Sequence, residues 1–224
     1  CRKALALNPD YAEAHASLGN AFAELERLDE AVASYNKAIA NKPDFAEAHS
    51  NLGCTFKELG RLDEAIASYH KALAIKPDFD EALSNLGDAQ EELGLLDKAV
   101  ASRQKALSIQ PDDAEVLGNL GNTLNALGRL DEAVESYQKA LALNPDLWGA
   151  HTNLGNVQEG LGLLDEAVAS HRKALAINPD FAGAHNNLGS ALQDLGKLDE
   201  AVASYHKALT IKPDYAEAHN NLGN

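Results

Sequence analysis

The chain has 224 residues and a formal charge of −15, with 19 Lys+Arg against 34 Asp+Glu. That balance argues against nucleic acid, whose phosphates need clustered cations, and against an anionic membrane surface. Hydrophobic residues make up 45%, enough to bury a core, but only 5% are aromatic and Met is absent. The core therefore has to be built from Ala, Leu, Val and Ile. No apolar run approaches the ~18 residues of a membrane span.

The seven prolines, Pro9, Pro43, Pro77, Pro111, Pro145, Pro179 and Pro213, are each separated by 34 residues. A fixed period of that length is the mark of a repeat architecture. Numbering each unit 1 to 34 from Ala12 gives six complete units: 12–45, 46–79, 80–113, 114–147, 148–181 and 182–215. Residues 1–11 form the tail of an earlier unit, and 216–224 the head of a later one. This predicts an excerpt of a longer array. In the first fragment Cys1 falls at the register of Tyr35, a core-facing position.

Within each unit the first 14 positions predict an amphipathic helix. At 100° per residue, Ala14, His15, Leu18, Gly19, Ala21, Phe22 and Leu25 share one side. Glu13, Ala16, Ser17, Asn20, Ala23 and Glu24 form a mainly polar stripe on the other. Position 15 is Gly60, Gly94, Gly128, Gly162 and Gly196, the residue a left-handed helix end favours; Glu26 in the first unit is expected to be strained there. Asp29 and its five counterparts at position 18 open the second helix as a cap or first-turn acid. Ala31, Tyr35, Ala38 and Ile39 give that helix its apolar face, and Lys37 is expected in its last turn. Pro at position 32 stops it. The Asp after each Pro is expected to cap the next first helix. Gly recurs at position 8 from Gly19 to Gly223, which predicts a second backbone packed closely against it.

The series His15-x2-Leu18-Gly19-x2-Phe22, Ala31-x3-Tyr35-x2-Ala38 and Pro43 resembles the tetratricopeptide repeat family over the whole chain. The resemblance implies an all-α, right-handed superhelical solenoid spanning 1–224. First helices would line a concave groove and second helices the convex face. The main departure is at position 4, where the family often has Trp and this chain has His or Leu.

The groove stripe carries an asparagine ladder. Position 6 is Ser17, Asn51, Asn85, Asn119, Asn153, Asn187 and Asn221. Position 9 adds Asn20, Cys54, Asp88, Asn122, Asn156, Ser190 and Asn224. Asn offers a donor and an acceptor together, as a peptide backbone requires. The ladder resembles the one in the repeat arm of O-linked N-acetylglucosamine transferases, which holds substrate peptides. The expected function is a protein-interaction scaffold binding extended peptides. The alternative is the substrate-recruiting arm of such a transferase, without its catalytic domain. Removing ladder asparagines is expected to abolish binding without lowering stability.

The groove acids Glu13, Glu24, Glu47, Glu58, Glu81, Asp88, Glu91 and Glu92 face only Lys57 in the first three units, so a neutral to basic partner is expected. Family members that clamp a carboxylate tail use cations at positions 2, 5 and 6; none is present here. Histidines at position 4 lie one repeat apart, too far to share a metal, and are expected to be structural. Every candidate nucleophile or base recurs at the repeat period, which marks a structural position, so no catalysis and no cofactor are expected. Two cysteines make no disulfide framework and suggest a reducing, cytoplasmic setting. End-to-end self-association is expected through the half-units 1–8 and 216–224.

Overall fold

The computed structural model describes residues 8–223. Among these, thirteen helices and no strand are found: α1 Ala12–Glu24, α2 Leu28–Asn41, α3 Ala46–Glu58, α4 Leu62–Ile75, α5 Asp80–Glu92, α6 Leu96–Ile109, α7 Ala114–Ala126, α8 Leu130–Leu143, α9 Trp148–Gly160, α10 Leu164–Ile177, α11 Ala182–Asp194, α12 Leu198–Ile211 and α13 Ala216–Gly223. Each 34-residue unit is a pair of helices packed side by side, α1 on α2 through α11 on α12. The described residues form two compact units, one ending at Pro111 and the other starting at Asp112. Within each, a second helix packs on the next first helix, and consecutive first helices also touch. That extra contact puts the first helices on the inner side of each stack.

The turns follow the sequence closely. Gly60, Gly94, Gly128, Gly162 and Gly196 take φ between +71° and +76°, and Glu26 is forced to +56°. Around Glu26 the chain closes a paired helix stop. The Arg27 N–H donates to the Phe22 carbonyl at 2.9 Å, and the Glu26 N–H donates to the Ala23 carbonyl at 2.9 Å. The Arg27 guanidinium then lies 4.7 Å from the centre of the Phe22 ring, and Arg61 lies 4.5 Å from that of Phe56.

The caps differ from expectation. The residue preceding each first helix is position 34, not the Asp of position 33, and it is Tyr11, Phe45, Phe79, Leu147 or Phe181 in five units. None of these has a capping side chain. Asp113 does cap, accepting from the Glu115 and Val116 N–H groups at 3.0 Å each. The position-33 acids sit one residue too early, in the turn. Asp29 and its counterparts lie in the first turn of the second helix, one of the two places expected for them. The lysine of position 26 lies a turn before the helix end, because α2 and its equivalents run on to Asn41 or its counterparts.

The position-8 glycine packs against a side chain, not against backbone. A Cβ on Gly121 would stand 2.7 Å from Cε1 of Tyr137, which is fully buried at position 24 of the same unit. Gly19 meets Tyr35 and Gly53 meets Tyr69 in the same way. Gly87 meets Arg103, and Gly155 meets His171. Alanines at positions 20 and 27, such as Ala31, Ala38, Ala133 and Ala140, are wholly buried and complete the pair interface. The position-4 histidines buttress the turn. Nε2–H of His15, His49, His151, His185 and His219 donates to the carbonyl of Pro9, Pro43, Pro145, Pro179 and Pro213, at 2.8 to 3.1 Å.

Helix α7 offers a matched test of the glycine contact. A Cβ at Gly118 would meet nothing within 4 Å, whereas one at Gly121 would collide with Tyr137. Gly118→Ala should stabilise by about 1 kcal/mol through helix propensity alone. Gly121→Ala should destabilise by about 1–3 kcal/mol despite the same propensity gain. Urea melts of the two variants check this; equal effects would refute the contact.

His171 gives a second test. It is wholly buried, neither ring nitrogen has a hydrogen-bond partner among the described residues, and desolvation pulls its pKa down to about 4. The Glu159 carboxylate comes no nearer than 4.0 Å, through Oε2, and its Oε1 accepts from the Ser190 hydroxyl. The fold therefore holds His171 neutral. The stability that this supports is complete above the unfolded value of about 6.5 and is lost as pH falls from there toward about 4. The total loss is about 3 kcal/mol. His171→Tyr, the residue of four other units, should flatten the decline between pH 7 and pH 5 in a pH series of melts.

Candidate functional site

The ladder is built outward from the packed ring. Tyr35 threads past Gly19, and its hydroxyl emerges on the inner side, donating to Asn20 Oδ1 at 2.7 Å. The same oxygen accepts from Asn51 Nδ2 of the next unit at 3.0 Å. Tyr137, Asn122 and Asn153 repeat this arrangement at 2.7 and 2.8 Å. Asn187 donates to Asn156 at 2.8 Å. Where Cys54 replaces Asn, its sulfur accepts from Tyr69 at 3.4 Å and from Asn85 at 3.5 Å. Burial pushes the Cys54 thiol pKa up, which keeps it protonated and unreactive. The ladder shifts at the last step, where Asn221 donates to Asn186 at 3.1 Å, and Ser190 donates to Glu159 at 2.7 Å. Asn224 lies outside the described residues.

These bonds correct the expectation that the ladder carries no structural duty. Asn51, Asn85, Asn153, Asn187 and Asn221 each clasp the preceding repeat. The clasp also fixes what remains for a ligand. The Asn20 and Asn122 carbonyl oxygens each accept two bonds, so those amides present their N–H donors. The position-6 amides keep their oxygen and one N–H.

The acids are less free than the sequence suggests. Arg103 stands at position 24 in place of Tyr and is only 2% exposed. Its Nη2 lies 2.8 Å from Asp88 and 2.6 Å from Glu91. Lys57 lies 3.5 Å from Asp88, and Lys42 lies 3.0 Å from Glu13. Lys57 is thus not the only cation at the stripe, because Arg103 reaches it through the core and Lys42 from the turn. Glu24, Glu47, Glu58, Glu81 and Glu92 are exposed and have no ion pair among the described residues. Burial pushes the Tyr35 hydroxyl up to about 12, and Cys54, Glu58 and Glu24 add to the shift. Those two glutamates therefore project a negative potential onto the ladder beside Asn20.

Sequence reasoning missed Arg103 because a second-helix residue was assigned to the core. The signal was present: the one unit without an aromatic or imidazole ring at position 24 has Asp88 at position 9 and Glu91 at position 12. It also missed Trp148, the one tryptophan. In the unit starting at Asp112, a cleft of about 390 Å³ opens among Glu115, Gly118, Asn122, Asp146, Trp148 and Gly149. Trp148 stands at its wall, edge-on to Phe181 with ring centres 4.8 Å apart. No group of three or more metal-ligating side chains occurs among the described residues, and no helix there is long and apolar enough to cross a membrane. The self-association surface at residues 1–7 lies outside the described residues. At the other end, Leu222 packs on the Leu188–Leu192 cluster.

Among solved structures, the chain is similar to YrrB, described as a TPR protein with an unusual peptide-binding site. Identity is 24% over 85% of this chain and 98% of that one, with a TM-score of 0.74. It is 30% identical to a MamA protein over 77% of this chain and 94% of that one, with a TM-score of 0.71. The Pseudomonas aeruginosa protein pilF shares the fold at 19% identity, with coverage of 95% and 96% and a TM-score of 0.80. No curated protein matches the chain. A TPR repeat profile matches residues 19–60, 55–94, 121–162, 160–196 and 190–224, and tetratricopeptide repeat profiles match 80–113 and 104–135. The period, the paired helices, the glycine turns and these matches agree: the chain belongs to the tetratricopeptide repeat family.

Proposed function

We propose that the chain is a protein-interaction scaffold that holds extended peptide segments on the inner faces of its first helices. The repeat fold supports a protein-binding scaffold in general, and the similar YrrB is described as having a peptide-binding site. The observation that carries the peptide reading is the polarity left over by the clasp. Position-9 amides offer N–H donors to peptide carbonyls, while position-6 amides offer an acceptor to peptide N–H groups. Repetition at every unit suits a backbone, whose polar groups also recur. The candidate contacts are Asn20, Asn51, Asn85, Asn119, Asn122, Asn153, Asn156, Asn187 and Asn221.

Each such bond is worth about 0.5–1.5 kcal/mol net, against the cost of ordering a flexible peptide. Binding is therefore weak and tolerant of sequence. The exposed Glu24, Glu47, Glu58, Glu81 and Glu92 favour a neutral to basic partner and act more on the association rate than on affinity.

Alanine at a ladder position confounds binding with the clasp, but aspartate separates them. Asn122→Asp and Asn156→Asp keep an oxygen for the internal bonds and remove the outward donors. An uncharged peptide selected on the parent from a random display library should bind the double variant at least tenfold more weakly, since each carbonyl left unpaired costs about 1–3 kcal/mol. The melting temperature should hold. Undiminished binding by isothermal calorimetry would refute the ladder as a ligand site.

A further inference from the structure

The chain shows, at its own first junction, the ligand chemistry that its fourth junction lacks. At position 31 Lys42 sits with its ammonium 4.6 Å from the centre of the Phe45 ring and 3.0 Å from Glu13. The pairing lowers the Glu13 pKa, first through the hydrogen bond from Lys42. Lys76 over Phe79, at 4.4 Å, and Lys212 over Tyr215, at 5.2 Å, repeat the lysine-on-ring half of the arrangement. At the junction between the units 114–147 and 148–181, the position-31 lysine is replaced by Asn144. The acid at position 2 is kept as Glu115, which has no cationic partner among the described residues. The aromatic is kept too, moved on by one residue as Trp148, 38% exposed and braced from one side by Phe181.

Space is kept open at the same place. Position 5 is Gly118 and position 2 of the following unit is Gly149, and a Cβ on either would meet nothing within 4 Å. Neither glycine is needed for packing, and both line the cleft of about 390 Å³. Its charged side chains, Glu115 and Asp146, are both acids.

We propose that this cleft receives a basic side chain of the bound peptide, a lysine ammonium seated against the Trp148 ring and the Glu115 carboxylate where Lys42 serves the first junction. An aromatic face and a carboxylate together favour a cation over a neutral side chain of equal length. The site would set the register of a peptide that the ladder alone reads without preference. It rests on the peptide-groove reading and adds the residue that anchors it.

Trp148 is the only tryptophan, so its emission reports this cleft directly. The probes are a nonapeptide of glycine and serine with one central lysine, and the same peptide with norleucine. The lysine peptide should shift Trp148 emission saturably, and the norleucine peptide should bind about fivefold more weakly. Asn144→Lys restores the internal lysine and should abolish the lysine preference without lowering the melting temperature, since Lys42, Lys76 and Lys212 occupy that position already. Glu115→Gln should reduce the preference. Equal binding of the two peptides, or a preference unchanged in Asn144→Lys, overturns the cation site. If the equal binding is still weakened by Asn156→Asp, the groove reading stands alone. If neither peptide shifts the emission, the cation site fails, and the calorimetry of the Asn122→Asp and Asn156→Asp double variant decides the groove reading separately.

Discussion

A glycine with a ring where its side chain would be sets the distance between the two helices in five of the six complete repeats, and an arginine stem takes the ring's place in the sixth. Gly19, Gly53, Gly121, Gly155 and Gly189 each admit the side chain of position 24 into the volume a Cβ would take. The contact has two consequences. It lets the helices approach closely enough for Ala31, Ala38 and their equivalents to fill the remaining interface, which is why a core poor in aromatics suffices. It also passes the Tyr hydroxyl between the helices to the inner side, where it meets position 9. The amide of Asn20 or Asn122 is oriented by that hydroxyl, and its oxygen then takes the Asn of the next repeat. Core packing thus orders the inner surface, and stability between neighbours shares its hydrogen bonds with the surface proposed for binding.

Much of this was legible in the sequence because the period is strict. Turn glycines, helix lengths and the apolar face follow from local rules that repetition confirms unit by unit. What lies opposite Gly121 was not legible. Helical periodicity assigns a residue to a face but not to a partner, and the partner is 16 positions away on another helix. The capping residue was misplaced by one for a similar reason: the Pro-Asp turn is followed by an extended aromatic residue, and the helix starts only after it. The histidines needed no metal because the carbonyl of the preceding turn is within reach of Nε2. The ladder was visible as a stripe, but its internal bonds depend on the rise from one repeat to the next, which the sequence does not state.

Departures at position 24 show how tightly the two surfaces are coupled. Where Arg103 replaces Tyr, positions 9 and 12 supply Asp88 and Glu91, and a guanidinium that is 2% exposed meets two carboxylates. An isolated buried cation would cost several kcal/mol, so the acids on the groove side are required by the core. Where Tyr205 stands over Ser190, its hydroxyl turns to Gln193 at position 12 instead. Where His171 stands, the imidazole is too short to reach Asn156, and no hydroxyl arrives there. The arginine is thus answered on the inner face of the same repeat, and the histidine leaves Asn156 to the next repeat alone.

That coupling limits where specificity can be written. Positions 6, 8, 9 and 24 are bound to one another, so a substitution there that breaks the internal bonds disturbs folding along with the ligand surface. Positions 1, 2 and 31 are not so bound. Lys42 and Glu13 can be present or absent, and Gly149 can stand in for a larger residue, without touching the ring contact. The features of the proposed cation cleft fall at those unbound positions: Trp148 where other units have Ala or Asp, Asn144 where Lys42 and Lys76 stand, and Gly149 where Glu47 and Glu81 stand. A repeat protein built by duplication begins with identical units. A change inside the clasp, such as Asp88 beside Arg103, has to be matched by a second change, whereas positions free of the clasp can diverge singly, so individuality in what is bound accumulates most readily at the rim of the ladder.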